Sequence, residues 1–162
     1  MLAPLAPATV ANTQSTHQQL LINHLIHAKP LPAVALPSDI IAKGLVLRNY
    51  QVEGISWLNF LKSVGVSGVL ADDMGLGKTV QALCAIALHH YDKLRAGKMS
   101  LIVCPATLSS HWMTEMQRFF PTLSPLFYGG SKSERRCINL NSSGDIGKGR
   151  VVVVSYGTLR YV

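Results

Sequence analysis

Gly75, Gly77, Lys78 and Thr79 fall within the stretch "LADDMGLGKTVQ", residues 70–81, and as a set they suit one chemistry, the grip on a polyphosphate. Glycines let a loop close its backbone N–H groups around phosphate oxygens, a lysine meets the β/γ charge, and a Ser/Thr hydroxyl holds Mg²⁺. In the usual spacing the first glycine of such a loop falls at position 72, where this chain has Asp72. The flanks supply what the strict pattern lacks. "SGVLAD" reads as a short buried strand running into the loop, and "KTVQALCAIALHHYDKL" as the helix that leaves it. A glycine-rich turn with an incidental lysine is the plainer alternative, and the order strand, loop, helix argues against it.

Other reactive side chains carry less. His89 and His90 are neighbours on a helix and point to different faces, so they are poor joint metal ligands and read as surface or partly packed residues. Cys84, Cys104 and Cys137 are odd in number and far apart, with no CxxC spacing; they read as reduced thiols, at least two of them in the core. Trp57 and Trp112 read as core anchors.

The elements that must position the loop follow from periodicity. In "RNYQVEGISWLNFLKSV", Ile55, Leu58, Leu61 and Val64 recur every three residues, which predicts an amphipathic helix with Trp57 on its flank. "SLIVCP" is a second buried strand ended by Pro105. "SSHWMTEMQRFF" brings Trp112, Met116, Phe119 and Phe120 to one helical face, with a serine as N-cap and Pro121 as the stop. "LFYGG" reads as a third strand, "NSSGDIGKG" as a loop, and "RVVVVSY" as a fourth strand too apolar to face water on either side. Buried strands alternating with helices predict an α/β fold, a parallel sheet flanked by helices. Residues 1–36 are expected to lie outside it as a disordered tail, a short helix at "HQQLLINHLIHA" and a proline-rich linker, leaving 37–162 as the main domain.

Composition sets the outer limits. Apolar residues make up 48% of the 162 and charged ones 14%, which favours a real core over disorder. No apolar run approaches the ~18 residues of a membrane span, and the amino terminus has no basic residue ahead of its apolar stretch. These features predict a soluble, intracellular protein without a membrane partner. The net charge of +7 is uneven: residues 1–92 carry five Lys/Arg against five acids, and 93–162 carry ten against three. The basic half is either a track for a nucleic-acid backbone or a solvated face.

"LADDMGLGKT" resembles the first nucleotide-binding motif of the Swi/Snf-type ATPases, helicase-like motors that translocate on double-stranded DNA. "LRNYQVEGISWL" resembles the family's glutamine motif, "LIVCPATLSSHWMTE" the motif after the first, and "VVVVSYGTLR" the one after that; all four stand in the family's order, over residues 37–162. The resemblance implies a partial RecA-like P-loop lobe that uses ATP and Mg²⁺. Lys78 and Thr79 would be its catalytic pair, with Thr79 on the Mg²⁺. Arg48, Gln51, Asp72, Asp73, Met74, Gly75, Leu76 and Gly77 would complete the nucleotide site. Gln51 would read adenine, which its amide can do by donating to N7 and accepting from the N6 amine. Pro105, Ala106 and Thr107, and Ser155, Tyr156 and Thr158, would face double-stranded DNA, although Ser155 and Thr158 could equally cap a turn.

Within the family, the branch that removes TATA-binding protein from DNA is similar in having Asp at Asp73 and a His-Trp pair at His111 and Trp112. TATA-binding protein is therefore an implied partner, and the nucleus the implied location. The family's Asp-Glu-x-His segment and its arginine fingers belong to later parts of the motor, so the expectation is an amino-terminal portion that binds ATP without useful turnover. An open sheet edge is expected with it. The alternative is a short module that binds nucleotide, DNA or a partner without catalysis.

Overall fold

The computed structural model describes residues 33–91, 98–138 and 149–160, together with residues 19, 22, 23 and 31. Gln19, Ile22 and Asn23 have helical backbone within the expected helix at 17–28. The rest of that helix, the tail 1–16 and the loop 141–148 lie outside the described residues.

Helix α1 spans Asn49–Ser63. Its three-residue apolar repeat works as expected: Ile55, Leu61 and the following Val64 are buried and Leu58 is half-buried. Trp57 stacks on Phe60, with ring centroids 5.9 Å apart. The helix closes where Gly65, at φ 72°, returns its N–H to the Lys62 carbonyl, a left-handed step that costs glycine no Cβ clash. Helix α2, Lys78–Tyr91, buries Gln81, Leu83, Cys84 and Ala87. Burial pushes the Cys84 thiol up to about 12, so it is a core residue and not a nucleophile.

Strand β1, Met99–Cys104, ends at Pro105 and leads through a 3-10 turn, Ala106–Leu108, into α3, Ser109–Phe119. Met116 and Phe120 are fully buried, with Trp112 and Phe119 packed beside them. The expected serine N-cap is not used. The 3-10 turn runs straight into the helix, so Leu108 takes the N-cap position without a side-chain bond, and Ser109 is buried with its hydroxyl 3.6 Å from Cys104 Sγ. Strand β2, Leu123–Tyr128, helix α4, Lys132–Cys137, strand β3, Gly149–Ser155, and helix α5, Tyr156–Arg160, complete the described chain.

The three strands form a parallel sheet in the order β1-β3-β2. Val151, Val152, Val153 and Val154 are buried in succession, which requires cover on both faces of β3. Helices α2 and α3 both touch β3. The segment before α1 joins the same core: Ile40 is fully buried, Val34, Leu36, Leu45 and Leu47 pack against the cluster, and Val34 N–H donates to Ser56 Oγ at 2.9 Å.

The expected strand "SGVLAD" does not form. Residues 66–71 carry no regular secondary structure, and Val69 is 83% exposed. An extended segment becomes a strand only when a neighbour takes up its N–H and C=O groups, and among the described residues no strand lies beside this one. Among the described residues strand β1 likewise pairs on one side only, and Leu101 is 57% exposed.

Candidate functional site

Residues 72–77 are shaped by two glycines at positive φ, Gly75 at 87° and Gly77 at 75°. These values are open to glycine and cost a Cβ-bearing residue on the order of 1–2 kcal/mol. The loop delivers the chain into α2, whose first N–H groups have no carbonyl one turn earlier within the helix and carry its positive dipole end. Gln81 N–H is the first to bond back, to the Gly77 carbonyl at 3.1 Å.

The Lys78 ammonium lies under the loop and donates to the carbonyls of Asp72 and Asp73, both at 2.7 Å. A lysine so placed ties the first half of the loop to the start of α2. Thr79 is the second residue of α2 and half-buried. Met74 is almost fully exposed and Asp73 exposed, whereas the Asp72 carboxylate turns inward and accepts from Gln81 Nε2 at 2.8 Å. Asp72 therefore meets Gln81 through its side chain and Lys78 through its carbonyl.

Gln51 joins the loop from α1. Its Nε2 donates to the Leu76 carbonyl at 3.2 Å, and its Oε1 accepts from Arg48 N–H at 2.9 Å. Tyr50 Oη reaches the same Leu76 carbonyl at 3.4 Å. The structure thus brings Gln51, Asp72, Leu76, Gly77 and Lys78 together. Arg48 stays exposed and serves the cluster through its backbone, the N–H donating to Gln51 Oε1 and the carbonyl accepting from Gln51 N–H at 2.9 Å. Gln81 was not among the residues singled out by sequence, yet it is the one polar side chain buried within α2 and it touches both Asp72 and Leu76. A lone glutamine on an otherwise apolar helical stretch, three residues past the lysine, was the available signal.

The second group of candidates stands at the carboxyl ends of the strands. Cys104 pairs with Ser155, so Pro105, Ala106 and Thr107 leave the sheet beside Tyr156 and Thr158, and all but half-buried Thr158 are exposed. Ser155 Oγ accepts from Thr158 N–H at 3.1 Å and lies 3.0 Å from its hydroxyl; it is the N-cap of α5.

Helix α2 ties the two groups to one end of the sheet. His90, near its carboxyl end, has Nε2 2.9 Å from Ser100 Oγ at the start of β1 and lies against Gly149 at the start of β3. The helix thus runs antiparallel to the strands over about 20 Å, and its loop opens toward their carboxyl ends, where open parallel sheets hold ligands. Burial lowers the His90 pKa, and Lys62 lowers it further. Among the described residues no three His, Cys, Asp or Glu side chains form a metal cluster, and no helix is long and apolar enough to cross a membrane.

Residues 50–162 match the SNF2-related domain. The chain is 36% identical over 153 residues to TATA-binding protein-associated factor mot1 of Schizosaccharomyces pombe, covering 88% of this chain and 8% of that protein. It is 34% identical over 151 residues to TATA-binding protein-associated factor 172 of Homo sapiens, covering 86% and 8%. The chain therefore spans less than a tenth of the length of these relatives. A solved structure, the Sulfolobus solfataricus SWI2/SNF2 ATPase core in complex with dsDNA, superposes with a TM-score of 0.61 at 28% identity, over 78% of this chain and 24% of that one. With a match over residues 50–162 and a parallel α/β sheet like that of the ATPase core, the chain belongs to the SNF2-related domain family.

Proposed function

We propose that these residues form the ATP-binding portion of a DNA-dependent motor that remodels complexes of duplex DNA with chromatin or transcription factors in the nucleus. The observation that carries the reading is Lys78, held on two carbonyls of its own glycine loop at the amino end of α2. Backbone N–H groups of Gly75 to Lys78 surround the phosphates, Lys78 meets the β/γ charge, and the Thr79 hydroxyl holds Mg²⁺, which when bound neutralises the polyphosphate and fixes its geometry. Gln51 sits at the loop rim, where its second N–H and second lone pair read adenine. Asp72, Asp73, Met74, Leu76 and Arg48 frame the site.

Pro105, Ala106, Thr107, Tyr156 and Thr158 follow the duplex, with Ser155 holding their turn. The relatives associated with TATA-binding protein support that protein as the factor displaced. This portion of the motor binds nucleotide without sustained hydrolysis; of the two carboxylates in the loop, Asp72 is held by Gln81 and Asp73 is exposed to solvent. Two experiments test the reading. Selectivity for ATP over GTP in calorimetry should vanish in Gln51→Ala. Duplex binding should weaken with salt at a log–log slope of about 0.9 per phosphate contacted; a slope near zero rejects the DNA track.

A further inference from the structure

Gln81 combines features that a core residue alone does not explain. It is completely buried, yet its Nε2 leaves the core to bond Asp72 Oδ2 at 2.8 Å, with a longer 3.5 Å approach to the Leu76 carbonyl. Its Oε1 is buried without a partner and pressed against Gly54 of α1, where any Cβ would overlap it. A buried amide left half-satisfied is unfavourable, and such groups persist where they serve a site. Gln81 thus touches three parts at once: α2, the loop on both sides of Met74, and the helix that bears Gln51.

We propose that Gln81 is a positioning residue that anchors the glycine loop, through Asp72, while Lys78 transfers from the loop carbonyls to the phosphates of a bound nucleotide. The inference rests on the nucleotide-binding reading above. In this structure Lys78 ties down the Asp72 and Asp73 carbonyls. A phosphate that draws the ammonium away removes both bonds, and the Asp72–Gln81 pair then keeps the first half of the loop in place. Asp72 at the position of the usual first glycine is what makes this anchor available. Without it, the loop must be ordered at the moment of binding, and affinity falls by that cost.

The test is calorimetric affinity for Mg-ATP, with melting temperature measured separately without ligand. Gln81→Glu sets two carboxylates against each other and should weaken binding roughly tenfold or more, the scale of one to two side-chain hydrogen bonds. Combining it with Asp72→Asn restores a donor–acceptor pair with the roles exchanged, and affinity should return to within about threefold of wild type. Gly54→Ala, which expels the amide from the α1 side while raising helix propensity, should weaken binding likewise. Should Gln81→Glu fail to fold, Asp72→Ala keeps the buried amide itself unchanged; it should lower the melting temperature without preventing folding, and lose roughly tenfold in affinity measured on the folded chain. Variants that fold and bind Mg-ATP as wild type does, or a swapped pair that stays weak, overturn the proposal. A wild-type chain that binds no Mg-ATP rejects the nucleotide reading itself, and the anchor with it.

Discussion

Gly75 and Gly77 provide a matched pair of perturbations. Both have positive φ, 87° and 75°, so alanine at either position adds a left-handed penalty of about 1–2 kcal/mol. Their surroundings differ. Nothing lies within 4 Å of a Cβ added to Gly75, whereas one added to Gly77 falls 2.5 Å from Gln51 Nε2. Gln51 must then turn away, which breaks its 3.2 Å bond to the Leu76 carbonyl and its 2.9 Å bond from Arg48 N–H. At about 0.5–1.5 kcal/mol per bond, Gly77→Ala should be less stable than Gly75→Ala by roughly 2 kcal/mol. For a chain of this size that is about 4–8 °C in melting temperature. Thermal unfolding of both variants, alone and in a Gln51→Ala background, reads the difference. The extra cost of Gly77→Ala should disappear once Gln51 is gone. Equal melting temperatures for the two single variants, or an extra cost that survives Gln51→Ala, would refute the contact between α1 and the loop.

Further outcomes follow from the packing and the electrostatics. Phe120→Ala opens the centre of the core and should cost about 3–5 kcal/mol in urea unfolding; Val69→Ser, at an exposed and unpaired position, should stay within about 0.5 kcal/mol of wild type. His90 has a pKa below its ordinary value because burial and Lys62 disfavour the cation. The unfolded chain therefore binds this proton more readily, and the His90 contribution is complete above about pH 6.5 and lost as pH falls through that value toward the folded pKa. Replacing His90 with Gln should flatten the part of the stability profile between pH 7.5 and 5.5 (about one unit either side of the free value) that belongs to this group, and an unchanged profile would contradict the assignment.

Much of the fold was legible because the decisive patterns are local. The three-residue repeat through Ile55, Leu58, Leu61 and Val64 specifies α1 by itself, and "RVVVVSY" could only be a strand covered on both sides, which is where β3 lies. What failed depended on partners. "SGVLAD" has the composition of a buried strand, but pairing is a property of two segments, and Val69 stands in solvent. The serine cap failed for a similar reason: "ATLSS" offers two serines, and the 3-10 turn at Ala106–Leu108 decided that Ser109 would face Cys104 instead. In the site, the lysine and glycines announced themselves by spacing. The inward turn of Asp72 and the role of Gln81 did not, because a hydrogen bond between residues nine apart depends on how the loop folds back over the helix.

If residues 72–79 hold the phosphates of ATP, melting curves with and without Mg-ATP will separate the wild-type chain from Lys78→Ala. At about 100 times its dissociation constant the ligand should stabilise the wild type by roughly 2.7 kcal/mol, and at the same concentration should leave Lys78→Ala almost unmoved. A wild-type curve that does not shift, or a shift that Lys78→Ala retains in full, would mean that this loop does not hold the nucleotide.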